Sequence, residues 1–376
     1  MLDQALYSRY NQSMTTIISS NTGPSSPITL PQVSAPRAAF AAALREIRLA
    51  VPAVMAEIHS NPLCSSGRKR LIRQARQQLQ QNAALKGNML TAPTANPKLY
   101  AARNLYANLS TWAQSVNTPA HVTPPDSPIW SLSLAPADQS GSWHVCPGST
   151  PACEAGCLGW HSGHAGMSGQ SDNPVRRARR ARTAVLMQAE TRHSAMLLLA
   201  HELEQAVRHT DSIQGLAIRM NAFSDIPWEA VWPELMEWLN TRHHSSFSCS
   251  AGYALSWYDY TKLPGRRPPR HLNYRLTLSW HPGIDREAGE WLAQGRNIAV
   301  IFNTPKQQPL PTRWRGYPVL DGTVTDTRWA DPAGHIVGLR WKAARHWQAS
   351  CRNAQDAGWV VDPLVRADGS AWADWA

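Results

Sequence analysis

The sequence predicts an α/β fold, a partial (βα) barrel or parallel sheet core, with an N-terminal helical arm. Two observations point there. Beyond residue 125 short apolar runs alternate with helical stretches, the pattern of a sheet built from parallel βα units. All 17 tryptophans fall at or after Trp112, whereas the preceding stretch is rich in Ala, Gln, Ser and Arg, so composition changes near residue 95. The expected division is a Ser/Thr/Pro-rich disordered leader over 1–34, a basic helical arm over 35–95 and an α/β core over 96–376.

The arm begins at Ser34, a plausible N-cap, with a helix over Pro36 to Ile47; a second, strongly basic helix spans Arg68 to Gln81. In the core, Trp130 to Leu134 alternates as a strand does. Leu216 to Met220, the run opening at Trp257-Tyr258, Tyr274 to Ser279, Ile298 to Phe302 and Ile336 to Trp341 are further strands. Between the first two lies the clearest helix, with Met196, Leu199, Leu203 and Val207 at helical spacing and Gly215 to stop it. Another helix is expected from Pro227 through Leu239. No repeat at solenoid or propeller periods is present.

Composition excludes several classes. With 43% apolar and 17% charged residues the chain is neither disordered nor supercharged. The longest apolar stretch, Ala195 to Ala200, is far below the ~18 residues of a membrane span. The first twenty residues lack a basic region followed by an apolar one, so a cytoplasmic location and no membrane partner are expected. In a reducing compartment the six cysteines read as thiols or ligands and not as a disulfide frame.

Three of those cysteines, Cys146, Cys153 and Cys157, lie within twelve residues just after the first strand. A loop turned by Pro147, Gly148 and Pro151 can bring three thiolates to one centre with little loop-closure entropy. Three soft ligands suit an iron–sulfur cluster with one open iron, or zinc completed by His144, His161 or His164. Cys64, Cys249 and Cys351 read as scattered small buried residues. The glycine-rich stretch Leu158 to Gly166 follows, and then Arg176 to Arg182, with five arginines in seven residues. With Arg68-Lys-Arg70 and the arginines of Pro264 to Arg270, this makes the +11 net charge patchy, suited to nucleic acid or a nucleotide, or else simply solvated.

In parallel α/β folds chemistry sits at the carboxyl ends of strands. There the sequence offers Arg219, Asn221, Ser224 and Asp225, though Ser224 and Asp225 could equally cap the Pro227 helix. Asp259 and Lys262 follow, as proton-transfer groups or as a plain ion pair; Asn273, Thr277 and Ser279 come next, then Asp321, Asp326 and Lys342. A Walker A sequence, a Rossmann glycine fingerprint and a Gly-x-Ser-x-Gly elbow are missing. His201-Glu202 lacks the second His of a zincin, since position 205 is Gln.

Taken together, Ser133 to Ser140, Cys146-Pro-x5-Cys153-x3-Cys157, Arg179-x2-Arg182-Thr183, Arg219 to Glu229 and Tyr258-Asp-Tyr-Thr-Lys262 resemble the phage and plasmid family named after gene product eighty-eight. The motifs stand in that family's order over roughly residues 96 to 365, with Asp321 to Asp326 and Lys342 to Arg345 resembling its C-terminal motifs. The resemblance implies a phage or mobile-element origin. The chain departs from the family at Met220-Asn-Ala-Phe-Ser-Asp225 and in Trp160, His161 and His164 after the cysteines.

Two functional expectations follow. The first is a radical-SAM-like iron–sulfur enzyme. Cys146, Cys153 and Cys157 would hold a [4Fe–4S] cluster, Arg219, Asn221, Ser224, Asn273 and Ser279 would bind S-adenosylmethionine or substrate, and Asp225, Asp259 and Lys262 would act in catalysis. The spacing here, Cys-x6-Cys-x3-Cys, differs from the common Cys-x3-Cys-x2-Cys of such enzymes. The second is a zinc-stabilised nucleic-acid-binding protein of a mobile element, its arginine patches meeting phosphates.

Overall fold

The computed structural model describes residues 34–83, 85, 87–91, 128–161, 173–209, 216–246, 255–341, 358–364 and 370–375. The leader before Ser34 lies outside the described residues, as do Cys249, Cys351 and the Lys342 to Arg345 motif.

Parallel strands β2 (Ile129–Leu132), β3 (Leu216–Arg219), β4 (Leu255–Thr261), β5 (Tyr274–Ser279), β6 (Ile298–Phe302) and β9 (Ile336–Arg340) stand side by side in chain order. Stepping always in one direction is the winding of a βα barrel, but this sheet stays open. One edge is β1 (Leu90–Thr91), antiparallel to β2. At the other, β8 (Tyr317–Asp321) continues the parallel set and β7 (Arg313–Trp314) runs antiparallel to it. A short strand, β10 (Val360–Val361), pairs with β6 at Ile301 and Phe302, beyond the point where β5 pairs at Ile298 and Ala299. It therefore wedges in at the carboxyl end of the sheet and carries Trp359 to that rim.

The two sheet faces follow strand alternation. Leu216, Ile218, Leu255, Trp257, Leu278, Ile298, Val300 and Phe302 point into one large core. Ala217 and Tyr258, out of phase with them, join Trp329 and Ala330 in a small cluster on the opposite face. The large core is covered by helices α1 (Ala35–Ser60), α2 (Ser66–Ala83), α5 (Pro174–Met187), α6 (Ala189–His209) and α8 (Pro233–Ser246). Two short turns, α3 (Pro151–Ala155) and α4 (Leu158–His161), carry the cysteine loop, and α7 (Trp228–Val231) and α9 (Asp285–Ala293) complete the set.

The central helix is α6. Its stretch Ala195 to Ala200 is buried all round because α1, α2, α5 and α8 pack about it. Phe40, Leu44, Ile47, Val51, Val54 and Ile58 of α1 repeat at helical spacing and belong to the same core as the sheet. Each such side chain contributes on the order of 1.5–3 kcal/mol of burial free energy, so the segment expected as an arm shares its main apolar contacts with the body. The single helix expected over Pro227 to Leu239 is two, because Pro233 cannot continue α7 and instead opens α8. The C-terminal residues dock through aromatic edges: Trp314 meets Trp372 at 5.0 Å and Trp375 at 5.4 Å. No helix among the described residues is long and apolar enough to cross a membrane.

Candidate functional site

The cysteine loop leaves β2 and is fastened onto the carboxyl ends of the next two strands. Asp225 donates its backbone N–H to Val145 O at 2.9 Å, and the Cys146 thiol lies 3.4 Å from Phe223 O. Gly148 packs so tightly on Lys262 that a Cβ there would meet the Lys262 carbonyl at 2.9 Å. At Gly159 a Cβ would meet the Phe223 ring at 2.4 Å. These two glycines are therefore required by close approach: any side chain would lift the loop off the strand ends. Thr150 caps α3 by accepting from Cys153 N, and Pro151 starts it, so Cys153 is held in a defined helical turn.

All three thiols are half-buried on the loop that follows β2. Burial, reinforced by Cys153, pushes Cys157 up to about 12, and burial raises Cys146 well above the usual thiol range. Among the described residues no three His, Cys, Asp or Glu side chains converge into a metal-ready group. Three thiols carried on one short loop are nonetheless the donor type that a thiophilic centre takes. His144, expected as a possible zinc ligand, gives Nε2 to Glu154 at 2.8 Å and sits beside Arg37. Glu154 is correspondingly held below its usual range, chiefly by the His144 hydrogen bond. The His161 side chain and His164 lie outside the described residues.

The arginine run of α5 holds this loop from behind. Arg176 stacks over Trp160 at 4.6 Å and donates to its carbonyl at 2.7 Å, and Arg180 covers the same ring at 5.0 Å while donating to Gln139 O. Arg179 lies 4.0 Å above the Phe223 ring, with Nε and Nη1 buried and unpaired. Burial, against the favourable field of Cys157, lowers it to about 10. Most of this patch is thus internal stitching and not a solvated face.

The strand-end carboxylates are ringed by hydrogen-bond donors. Asp259 is fully buried; it accepts from Asn221 N at 2.8 Å, Asn221 Nδ2 at 3.1 Å and Tyr274 OH at 2.5 Å. Burial pushes it up to about 6 in spite of the Tyr274 bond and the Arg219 charge. Asn221 in turn accepts from Ser224 Oγ and Ile226 N, both at 2.8 Å, which fixes the loop after β3. Asp225 accepts from Lys262 N at 2.8 Å and from Arg266 Nη1 at 2.9 Å. Neither Ser224 nor Asp225 caps the following helix, whose N-cap is Pro227 without a side-chain bond. The alternative of an Asp259–Lys262 ion pair is replaced likewise: Asp259 faces Asn221 and Tyr274, while the Lys262 ammonium lies 5.9 Å from the Trp359 ring.

Sequence reasoning counted Arg266 as surface charge, and the structure makes it the anchor of this end of the sheet. Its guanidinium binds Glu229 through two bonds, of 2.9 and 2.6 Å, as well as Asp225 and Tyr274 OH. Burial works against its charge, and Glu229, Tyr274 and Asp225 more than offset that and hold it well above the usual range. His281, just after β5, was also missed. Burial and then Lys262 lower it to about 4, so its imidazole is neutral at neutral pH. The rule that strand ends carry chemistry was the signal for it.

The predicted residues do not all meet. Ser279 ends β5 on the cysteine side, but Asn273 precedes β5 in a left-handed conformation and binds Leu255 O and Ser256 Oγ. Six residues of strand, roughly 20 Å, separate the two. Arg219 is brought to the opposite face from the helices, over Tyr260 at 5.2 Å and 4.0 Å from Asp259. The rim thus gathers Cys146, Cys153, Cys157, Lys262, His281 and Trp359, floored by the Asp225–Arg266 network. That rim offers thiols, one cation, a neutral imidazole and aromatic surface at the carboxyl end of an open sheet.

A family model described as Gene product 88 matches residues 86–358. No curated protein and no solved structure matches the chain.

Proposed function

This chain belongs to the gene product 88 family, and we propose that it is a radical-SAM-like iron–sulfur enzyme of a phage or mobile element. The observation that carries this reading is the seat of the cysteine loop. It rests through Gly148 on Lys262 and through Val145 on Asp225, at the carboxyl rim of parallel strands wound in one direction. Cys146, Cys153 and Cys157 would hold the cluster. Held there, such a cluster would supply an open iron to bind S-adenosylmethionine and an electron for its reductive cleavage.

The protein's own residues do the rest. Asn221, Ser224 and Asp225 shape the loop on which the cysteine segment sits. Arg219 presents a cation on the open face, where Tyr258 and Tyr260 flank it. Ser279, Lys262 and His281 face the same rim, where His281 is held neutral and accepts from Gly283 N through Nδ1. Asn273 lies at the other end of β5, away from this rim.

Anaerobic purification followed by metal analysis and visible spectroscopy tests this. A brown protein carrying about four irons per chain, bleached by Cys153→Ala and unaffected by Cys64→Ala, is the expected result. A colourless protein that holds one zinc and takes up no iron on reconstitution would overturn it in favour of a structural zinc site.

A further inference from the structure

Several arginines are consumed inside the fold, while the outer face of one helix keeps a cluster of exposed cations. Helix α2 carries Arg68, Lys69, Arg70, Arg73 and Arg76 and has no acidic residue. Ile72, Ala75 and Leu79 turn inward, and Arg68 joins them, paired with Glu204 at 2.8 Å. Lys69, Arg70 and Arg73 are left exposed, interleaved with Gln74, Gln77 and Gln80. Among the described residues no carboxylate is paired with any of those three cations. Between this face and α6 runs a groove of about 680 Å3, lined by Lys69, Ile72, Arg73, Arg76, His201 and Gln205 among others. Burial, and then the charges of Arg68 and Arg76, lower His201 to about 4, and its Nδ1 is buried without a partner.

We propose that this groove and the helix face beside it bind the phosphate backbone of a nucleic acid, with Lys69, Arg73 and Arg76 at the groove and Arg70 on the adjoining exposed face as the contacts. Lys69 to Arg76 spans ~10 Å of helix at 1.5 Å per residue, the axial reach of about three phosphates of one strand. The glutamines add hydrogen-bond donors and no opposing charge. The floor of the groove is apolar at Leu63 and Ile72, and competition by polyglutamate is the control for an acidic peptide seated there. The chain's own segments before and after this region are poorly suited to fill it. Residues 1–33 contain Asp3 as their single carboxylate residue, and residues 92–127 contain only Asp126. The groove is built without the cysteine loop, so the proposal stands apart from the iron–sulfur reading.

The test uses the full chain and labelled single-stranded DNA, single-stranded RNA and duplex DNA, with anisotropy titrations from about 50 to 200 mM salt. Binding that weakens with salt is expected. A Lys69→Gln/Arg70→Gln/Arg73→Gln variant should lose at least about tenfold in affinity at low salt and reduce the log–log salt slope by about 2 to 3. Arg177→Gln, on the other arginine run, should change neither. The same assay on Cys153→Ala should match the parent, which separates this result from the metal reading. No binding at low salt would overturn the proposal. So would an equally tight complex with the triple variant, or equal competition by polyglutamate, which would assign the groove to acidic protein instead. Because the three cations are exposed, an unchanged melting temperature certifies the fold of the variant.

Discussion

Two arginine-rich helices, α5 and α2, begin from nearly the same local composition and use it in opposite ways. In α5, Arg176 and Arg180 clamp Trp160, Arg179 covers Phe223 and Arg182 donates to Asn88 O, so the charge is spent on carbonyls and rings that hold the cysteine loop. In α2 Arg68 is drawn inside and Arg76 reaches buried Glu202, while Lys69, Arg70 and Arg73 point away from the core. Charge density in the sequence is equal evidence for both. What separates them is whether an aromatic ring and an unpaired carbonyl lie within reach of the guanidinium, because a planar cation stacks and donates where a solvated face offers neither.

The sharpest way to break the comparison lies within α2 itself. Arg68 is 1% exposed and ties Glu204 to Ile58 O, so Arg68→Ala leaves a carboxylate buried and uncompensated. A loss of about 3–5 kcal/mol is expected, read as a lower urea midpoint at unchanged slope. Arg73→Ala, five residues on, should stay within about 0.5 kcal/mol of the parent. Equal effects from the two would mean that the inward and outward faces of α2 are not distinct.

The sheet was more legible than the site. The strands at Tyr274 to Ser279 and Ile298 to Phe302 coincide with their sequence expectation, because inward Leu276 and Leu278 alternate and the second is a continuous apolar run. β8 gave no such signal: Pro318 sits inside it and none of its residues is fully buried. β10 is too short to show a period. At the site, the sequence marks the cysteines and the polar segment after β3. Roles were another matter. Asp225 and Asp259 look like free acids on paper, and only the fold shows each of them ringed by donors, through Arg266 and Tyr274 from far along the chain. Asn273 and Ser279 are near neighbours in sequence, yet an extended strand carries them to opposite ends of the sheet.

A second test probes what the cations of α2 do to the core beneath them. Glu202 is 5% exposed and accepts from Leu90 N at 2.9 Å, with Arg76 at 3.4 Å. Burial pushes it up to about 7, and Leu90 and Arg76 offset only part of that. An ordinary glutamate titrates near ~4.3. Between those values the folded state binds more protons than the unfolded one, so this group's contribution to stability falls as pH rises from about 4 to about 7 and is level above. Glu202→Gln keeps the acceptor for Leu90 and removes the charge. It should equal the parent near pH 4 and exceed it by about 2 kcal/mol at pH 8, as measured by urea unfolding across that range. Parallel pH profiles for parent and variant would show that Arg76 fully compensates the buried carboxylate.

The smallest expected effect concerns the other helix and is the most specific. Arg176 contributes one stacking contact and one hydrogen bond to Trp160, and its own N–H is capped by buried Asn173 at 3.0 Å. Losing the contact and the bond should cost about 1 kcal/mol, a melting shift of only a few degrees in a chain of this size. The consequence reaches further than that number. Trp160 stands in the turn that follows Cys157, so a loosened ring frees the segment that packs Gly159 against Phe223. In Arg176→Ala a thiol reagent should label Cys153 and Cys157 faster than in the parent. Arg177→Ala, one residue along and exposed, should leave both the labelling rate and the stability unchanged. If the two variants label alike, α5 does not hold the loop, and its arginines, like those of α2, belong to a surface.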